Sequence, residues 1–496
     1  MRFSILFGGK AGQGVNVLSN ILGNALTKKG QYVFVSRDYQ SLIRGGHNFN
    51  VLTFSDKPVA SNDSQIDMII ALDENTINLH RSELKKGGKI IEKEGKGNMY
   101  FAGRIFKLLC VEFSVLEEEL RELKFFEENI KDAKEGYNET SEVACKVSLN
   151  KNKLKFVNGN QGISEGAVKS GVDIYYAYPM TPATNVMGEL AEKQIENNNI
   201  VIELESEVAV INAAIGSAIT GAKTMIGTSG GGFDLMTEAL SLTGVAEVPL
   251  VIYLASRPGP STGVATYTGQ GDLDLARHSG HGEFNRLVIA PGDPKECEEL
   301  TSQAFYFSQK FGIPTIILSD KHLAEGLYTM DKNSVITPSK KMTSLKRYNS
   351  YETDEFGCAT EDAEKIIKNV DARMKMGKEI EKEAEKFSQF NVYGNRTSKN
   401  VVLFWGSTKG AIIDAMENLD AKFVQVLYLE PFPMRIKKEI EGKNIILVEN
   451  NATGQLGKLV AEKTGIFIDD KNKILRYDGR PFLADELREE LGGRLK

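Results

Sequence analysis

The sequence predicts an α/β protein of three domains. Its 496 residues correspond to about three units of roughly 150 residues, each long enough to bury a core. Short β-branched runs alternate with helical patterns, and this alternation restarts near residues 151 and 399. A stretch dense in Glu, Lys and Asp separates the second unit from the third. We therefore predict domains at 1–150, 151–335 and 399–496, with a linker at 336–398.

The first unit, residues 1–150, is predicted to form an α/β layer. Strand-like runs at Tyr32–Val35 and Ile69–Leu72 alternate with helical patterns. Such alternation is typical of strands that are joined by crossover helices. We therefore expect a largely parallel sheet in this unit.

The second unit follows a polar stretch at 148–155. Its predicted strands each soon meet proline or serine, and they are Ile174–Tyr178, Lys223–Thr228, Pro249–Leu254 and Ile313–Leu318. In the linker, residues 361–386 combine dense charge with a helical period, which predicts a solvated helix. The third unit has predicted strands at Val401–Gly406, Phe423–Leu429 and Ile445–Glu449. Beyond about residue 470 we expect an extended tail.

Composition excludes several classes of protein. The chain has 61 basic and 67 acidic residues, for a net charge of −6, which argues against a general nucleic-acid surface. Its apolar runs are far shorter than the ~20 residues that span a bilayer. The first residues meet glycines before they could form the apolar core of a secretory signal. These features predict a cytoplasmic protein without membrane or nucleic-acid partners.

Cysteines and histidines do not predict a metal centre in this chain. The four cysteines, at 110, 145, 297 and 358, include no C-x-x-C pair, so we expect any iron–sulfur cluster on a partner. His278 and His281 have a spacing that can ligate a metal on a helix. The glycines that flank His281 weaken such a helix, so no metal ligand is predicted here.

A glycine-rich turn joins the first predicted strand to the first helix. Gly9, Gly12 and Gly14 stand where backbone N–H groups and a helix dipole can hold an anion. Their spacing matches neither the dinucleotide fingerprint nor a complete phosphate loop. The turn is therefore a possible phosphate or coenzyme A loop, or a tight turn that only packs closely.

Two segments of the second unit are predicted to form a ligand edge. Tyr178–Pro182 closes a strand with two prolines around Thr181, which directs a hydroxyl from the carboxyl end of the sheet. Thr228-Ser229-Gly230 makes a bare turn after another strand, where a cofactor can approach or where only a turn is needed.

Acidic and basic side chains lie in neighbouring segments. Glu203, Glu205 and Glu207 precede or open a helix rich in alanine and glycine, where acidic residues also simply favour the helix dipole. Arg257 follows an apolar strand and precedes two stiffening prolines. Its guanidinium suits a carboxylate, although a surface arginine on a rigid loop is the alternative.

Taken together, the motifs resemble one family, the α subunits of 2-oxoacid:ferredoxin oxidoreductases of the 2-oxoglutarate synthase type. The segments that carry this resemblance are Asn158–Asn160, Tyr178–Pro182, Glu205–Glu207, Thr228–Gly230, Arg257–Gly263 and His281–Glu283. The first third resembles the γ domain of the family, fused ahead of α. Trp405–Gly410 and Val448–Leu456 resemble its transketolase C-terminal-like domain.

The resemblance implies thiamine diphosphate bound at a subunit interface, with this chain supplying the pyrimidine-side domain. A β subunit is then expected to supply the diphosphate site, Mg²⁺ and a [4Fe–4S] cluster, with coenzyme A as acyl acceptor and ferredoxin as electron acceptor. The diphosphate signature of thiamine enzymes opens with Gly-Asp-Gly. Here Gly271-Asp272 is followed by Leu273, and Gly292-Asp293 is followed by proline, which agrees with a diphosphate site on the partner.

The resemblance also implies residue roles. Glu207 matches the catalytic glutamate that contacts the pyrimidine ring nitrogen, with Glu205 as a second candidate. Arg257 and Thr181 match the substrate contacts. The other matching cofactor-binding residues are Tyr178, Pro179, Thr228, Ser229 and Gly230. The γ–α fusion favours 2-oxoglutarate as substrate; a pyruvate or broad-range enzyme of anaerobic metabolism, or a non-catalytic scaffold subunit, are the alternatives.

Overall fold

A computed structural model describes residues 2–40, 46–92, 95–148, 150–331, 333–342 and 346–495 of the chain. Its strands form three sheets, two of seven strands and one of five, with helices between the strands. The α/β class predicted from the sequence is confirmed. Within the described residues, no helix combines the length and the apolar character needed to cross a bilayer.

The N-terminal region has ten principal elements. They are β1 (Arg2–Lys10), α1 (Val15–Lys28), β2 (Tyr32–Asp38), β3 (His47–Ser55), β4 (Ile66–Ala71), α2 (Glu74–His80), β5 (Leu84–Glu92), α3 (Asn98–Leu108), α4 (Phe113–Leu120) and α5 (Phe126–Glu139). The expectation of a largely parallel sheet is wrong for this region. Only β4 pairs in parallel fashion, with β1 and β5, whereas β3 runs antiparallel to both β1 and β2. The segment between β2 and β3 is too short for the crossover of a dozen or more residues that parallel strands need.

The central region contains the strands β6 (Leu154–Asn158), β7 (Ile174–Ala177), β8 (Ile200–Glu203), β9 (Thr224–Thr228), β10 (Leu250–Ser256), β11 (Leu287–Ile289), β12 (Pro314–Asp320) and β13 (Leu327–Asp331). Its helices are α6 (Gly159–Lys169), α7 (Thr184–Glu192), α8 (Gln194–Asn197), α9 (Glu207–Ile219), α10 (Gly230–Asp234), α11 (Thr237–Ala246), α12 (Leu273–His278), α13 (Pro294–Phe311) and α14 (Lys321–Glu325). The four strands predicted here are β7, β9, β10 and β12. Six strands of this region pair in parallel, in the order β11-β12-β10-β9-β7-β8.

Two strands of the central region, β6 and β13, belong to the N-terminal sheet. The order of that sheet is β5-β4-β1-β3-β2-β13-β6, with β13 antiparallel to both β2 and β6. The N-terminal sheet therefore continues past residue 150, because β6 and β13 complete its edge. The domain bounds themselves stay a prediction.

The C-terminal region starts with the charged helix. Its elements are α15 (Ala363–Ala384), β14 (Phe390–Gly394), β15 (Asn400–Trp405), α16 (Thr408–Ala415), β16 (Lys422–Val426), β17 (Tyr428–Glu430), α17 (Lys437–Ile440), β18 (Asn444–Glu449), α18 (Gln455–Thr464), β19 (Lys473–Leu475) and α19 (Ala484–Arg494). The helix predicted at 361–386 is α15, and it is buried only near its end, at Ile380, Glu383 and Ala384. The predicted strand Phe423–Leu429 is two strands, since β16 joins the C-terminal sheet and β17 pairs with β11 of the central sheet.

The expectation of an extended tail is wrong. Residues 484–494 form α19, whose Leu487 and Leu491 are buried in the same cluster as Ile412 and Ala415 of α16. An apolar pair four residues apart lies on one helical face. That face packs on α16, so tertiary contact stabilises a helix from a polar sequence.

Candidate functional site

Four predicted site segments meet at the carboxyl edge of the central sheet. Strands β7, β9 and β10 are parallel neighbours, so the segments that follow them emerge at the same edge. These segments are Tyr178–Pro182, Thr228–Gly230 and the loop that begins at Arg257. The fourth, the start of α9, follows β8 at the end of this row.

Arg257 and Thr181 are in direct contact. Nη1 of Arg257 donates a hydrogen bond of 3.0 Å to the backbone carbonyl of Thr181. Burial lowers the pKa of Arg257, and the charge of Asp272 opposes that shift. This contact uses one of the five guanidinium N–H groups. The two predicted substrate residues therefore form one unit, and the remaining N–H groups can bind an anion.

Asn160 fixes the turn that contains Thr181 through buried hydrogen bonds. Its Nδ2 donates to the carbonyl of Pro182 at 2.9 Å, and its Oδ1 accepts from the hydroxyl of Tyr253 at 2.8 Å. Asn160 and Tyr253 are fully buried. Buried hydrogen bonds of this kind fix the position of a turn. The sequence singled out Asn160 as part of a motif without assigning it this role.

The structure separates Glu207 from its neighbours Glu203 and Glu205. Glu207 is the first residue of α9 and only 6% exposed, whereas the other two are exposed. The side chain of Ser206 caps the helix by accepting from Ala209 N at 3.3 Å. Glu207 therefore points inward at a helix N-terminus, where the dipole favours a carboxylate.

The missing side chain of Gly232 leaves the space that the Glu207 side chain occupies. A Cβ on Gly232 would lie 2.8 Å from Glu207 Oε1 and even closer to Thr228 Oγ1. Among the described residues no hydrogen bond reaches the Glu207 carboxylate. The Glu207 side chain thus lies against the backbone of Gly232, and its carboxylate makes no hydrogen bond within the described part of the chain.

Thr228, Ser229 and Gly230 form a buried turn at the end of β9. Thr228 and Ser229 are fully buried, and the Ser229 Oγ has no hydrogen-bond partner in the described structure. Tyr178 and Pro179 stand at the same sheet edge but are exposed, with Tyr178 at 39%. The structure thus brings together a buried polar turn and an exposed aromatic turn.

Asp272 is an acidic residue of the site that sequence reasoning missed. A Cβ on Gly230 would lie 2.5 Å from Asp272 Oδ2, so the carboxyl group rests on the turn after β9. Oδ2 is buried without a hydrogen-bond partner, and burial raises the pKa of Asp272. The sequence showed only that Gly271-Asp272 fails the diphosphate signature. The available signal was its position at the end of the loop that begins at Arg257, immediately before α12.

The N-terminal glycine turn lies in a different sheet from these residues. Gly14 (φ +90°) caps α1, and a Cβ there would overlap the side chain of Asn98. A Cβ on Gly9 would come within 2.9 Å of Leu72 Cβ. Close packing therefore accounts for Gly9 and Gly14. Gly12 (φ +84°) faces open space.

His278 is the last residue of α12, and His281 and Glu283 lie in the loop that follows. His278 Nδ1 contacts the Asp274 carbonyl at 3.1 Å, and the backbone N–H of His281 donates to Ser241 Oγ at 2.9 Å. Over the described ranges, no group of three or more His, Cys, Asp or Glu side chains is arranged to hold a metal ion.

Comparison with known proteins gives matches over the whole chain. Residues 165–402 match the family model described as pyruvate flavodoxin/ferredoxin oxidoreductase, thiamine diphosphate-binding, and residues 4–96 match pyruvate ferredoxin/flavodoxin oxidoreductase. The 2-oxoacid:ferredoxin oxidoreductase subunit alpha of Saccharolobus solfataricus is 30% identical over 99% of this chain and 97% of its own length. The 2-oxoglutarate synthase subunit KorA of Methanocaldococcus jannaschii is 28% identical over 60% of this chain and 89% of its own.

A solved structure supports the fold. The 2-oxoglutarate:ferredoxin oxidoreductase from Magnetococcus marinus, with 2-oxoglutarate, coenzyme A and succinyl-CoA bound, superposes with a TM-score of 0.90. The match covers 100% of both chains at 21% identity. At that identity the likeness establishes a shared architecture.

Proposed function

The chain belongs to the family of 2-oxoacid:ferredoxin oxidoreductase α subunits, and from that premise we propose that its sheet edge forms the pyrimidine-side half of a thiamine diphosphate site. The proposal rests above all on Glu207, a residue only 6% exposed whose side chain lies against Gly232, with Arg257 and Thr181 at the same edge. Thiamine diphosphate, when bound, supplies the carbon nucleophile for the 2-oxo group. Glu207 holds a proton at the ring nitrogen of the aminopyrimidine.

The residues present fit that cofactor. The Ser229 hydroxyl is a buried polar group without a hydrogen-bond partner in the described structure, and such a group is costly unless a ligand pairs with it. Glu207 is 6% exposed and lies beside the same turn. Thr228 and Gly230 line the same turn, and Tyr178 and Pro179 flank it. Glu205 is exposed, so we assign the ring-nitrogen contact to Glu207 and not to Glu205.

Substrate contacts follow from the Arg257–Thr181 unit. The guanidinium forms charge-assisted hydrogen bonds with the carboxylate of the 2-oxoacid, and the Thr181 hydroxyl donates to the substrate. These contacts orient the 2-oxo carbon for attack and for loss of CO₂. A β subunit is proposed to bring the diphosphate site, Mg²⁺ and the [4Fe–4S] cluster, and coenzyme A and ferredoxin accept the acyl group and the electrons. We place this activity in the cytoplasm, as the composition predicts.

The matched pair Glu207→Gln and Glu205→Gln tests the assignment. Both variants keep side-chain shape and remove one charge, two residues apart. In the purified complex, Glu207→Gln should lower kcat by about a hundredfold or more, while Glu205→Gln leaves it within about twofold. Bound thiamine diphosphate is measured in parallel. Full activity of Glu207→Gln, or a loss confined to Glu205→Gln, would contradict the assignment.

We propose 2-oxoglutarate as the substrate. Relatives named 2-oxoglutarate synthase and a structural neighbour that binds 2-oxoglutarate support this choice. Profiling 2-oxoglutarate, pyruvate and branched 2-oxoacids with the purified complex decides it. A higher kcat/KM for pyruvate would replace the substrate and keep the reaction. A complex that binds neither thiamine diphosphate nor any 2-oxoacid would favour a scaffold subunit.

For the N-terminal region we propose that the exposed part of the Gly9–Gly14 turn lies close to the phosphates of coenzyme A. Gly12 faces open space with φ +84°, a conformation that asparagine and aspartate tolerate best among other residues. Gly12→Asp should therefore raise the KM for coenzyme A relative to Gly12→Asn, which differs only in charge. Equal KM values would remove the role.

A further inference from the structure

The loop between β10 and α12 carries two charged groups of the site, Arg257 at its start and Asp272 at its end. Its tip is exposed at residues 259–264, whereas Thr268, Gln270 and Leu273 are buried. The buried half does not rest on the central sheet alone. It contacts the C-terminal region, and those contacts account for two sequence motifs that the proposed function leaves unexplained.

Gln270 is held by three residues of the C-terminal region. Its backbone N–H donates to the Asn450 carbonyl at 2.8 Å, and its Oε1 accepts from Asn450 N at 2.8 Å. Its Nε2 donates to the Trp405 carbonyl at 3.0 Å, and its own carbonyl accepts from Asn451 Nδ2 at 3.1 Å. Gln270 therefore has four hydrogen bonds that cross between the two regions.

The side-chain amide of Gln455 binds the backbone on both sides of Asp272. Its Nε2 donates to the carbonyl of Gly271 at 2.8 Å, while its Oε1 accepts from the N–H groups of Leu273 at 3.0 Å and Asp274 at 3.3 Å. These bonds also satisfy N–H groups at the start of α12, which the helix itself cannot pair.

Glu449 organises the residues that make these contacts. It is fully buried and accepts from Trp405 Nε1 at 2.8 Å, Asn451 Nδ2 at 3.0 Å and Leu456 N at 2.9 Å. Burial raises the pKa of Glu449, and these hydrogen bonds oppose the shift. We call this network the C-terminal clamp, which consists of Trp405, Glu449, Asn450, Asn451 and Gln455.

The clamp reaches the substrate site through Asp272. The Asp272 carboxyl group lies against Gly230, and Gly269 of the same loop packs on Pro258, the residue after Arg257, since a Cβ on Gly269 would lie 3.4 Å from Pro258 Cγ. Arg257 in turn holds the Thr181 carbonyl. A displacement of residues 271–274 would therefore shift the Asp272 carboxyl group and the part of the loop that packs next to Arg257.

We propose that Gln455 is a positioning residue that sets the substrate affinity of Arg257 by fixing the backbone around Asp272. The inference rests on the proposed substrate role of Arg257. It assigns the C-terminal region a part in 2-oxoacid binding without direct contact with the substrate.

Gln455→Met tests this in the assembled complex, because methionine fills the same volume without the three hydrogen bonds. The KM for the 2-oxoacid should rise about tenfold, the equivalent of one to two lost hydrogen bonds, with kcat within about twofold. Gln455→Asn, an amide one carbon shorter, should give a smaller rise. The control is Thr464→Ala at the other end of α18, where the buried hydroxyl donates to the Val460 carbonyl at 2.7 Å and accepts from Ile466 N at 3.2 Å, with no hydrogen bond to the loop that carries Asp272 within the described residues. Its KM should not change.

A second readout does not depend on activity. Trp405 is the single tryptophan of the chain, is 1% exposed and belongs to the clamp. In the full chain, Gln455→Met should change the emission or quenching of Trp405, and Thr464→Ala should not. An unchanged KM in Gln455→Met overturns the proposal, whether or not the fluorescence of Trp405 changes.

A double-mutant cycle separates this inference from the proposed function. If Gln455 acts through Arg257, adding Gln455→Met to Arg257→Ala changes KM no further. Additive effects overturn the positioning role and leave the role of Arg257 intact. An unchanged KM in Arg257→Ala alone overturns the proposed substrate contact, and with it the route from Gln455.

Discussion

Replacing Arg257 by alanine should weaken binding of the 2-oxoacid more than it slows turnover of the bound substrate. In the structure the guanidinium gives one N–H to the Thr181 carbonyl at 3.0 Å, and its Nε is buried. The remaining N–H groups on its two terminal nitrogens can bind a carboxylate. A charge-assisted hydrogen bond contributes about 1.5 to 3 kcal/mol. Loss of one such bond raises KM by roughly 10- to 150-fold, since each 1.4 kcal/mol is about tenfold.

The assay is the coenzyme A-dependent reduction of a viologen dye by the anaerobically purified complex, with the 2-oxoacid varied. Arg257→Lys is the matched variant because it keeps the charge and loses the planar fork of donors, so its KM should fall between those of the native and alanine forms. Thermal unfolding of each variant checks that the Thr181 turn survives. A KM within about twofold of the native value in a well-folded Arg257→Ala complex would refute the assignment of Arg257.

Two further predictions concern burial. Gly232→Ala would place a Cβ against Thr228 Oγ1 and 2.8 Å from Glu207 Oε1, whereas the Cβ of Gly231→Ala comes no nearer than 4.0 Å to any neighbour. The thiamine diphosphate content of the complex should therefore fall at least about tenfold in Gly232→Ala only. Equal content in both variants would show that the space left by Gly232 is not needed for the cofactor. Burial and the nearby Lys321 lower the pKa of His322 from 6.5 to about 3. Between those values the unfolded chain binds the extra proton, so stability falls as pH falls through this window. The drop in melting temperature from pH 7 to pH 5 should be smaller in His322→Asn; equal drops would show that the fold does not hold His322 in the neutral form.

Local signals sufficed for much of the fold. The strands β7, β9, β10 and β12 were predictable because each is a short apolar run that ends at a turn-forming residue. The charged helix α15 was predictable from its period. The N-terminal sheet was not, because strand pairing joins β2 to β13, nearly 300 positions apart, and no local pattern specifies which edge a strand completes. The helix α19 likewise depends on its contact with α16.

For the site, residue types and their order were enough to indicate the chemistry: a hydroxyl and a guanidinium after predicted strands, and three glutamates before or at the start of a predicted helix, in the order of a recognisable family. Contacts between distant segments determine which of these groups act together. The tertiary structure buries Glu207 and exposes Glu205, although both stand in the same acidic segment. It also adds Asp272 and supports it from the C-terminal region through Gln455. The physical reason is that residue type and spacing are local properties, while burial, electrostatic neighbours and hydrogen-bond partners arise from contacts between segments far apart in the chain.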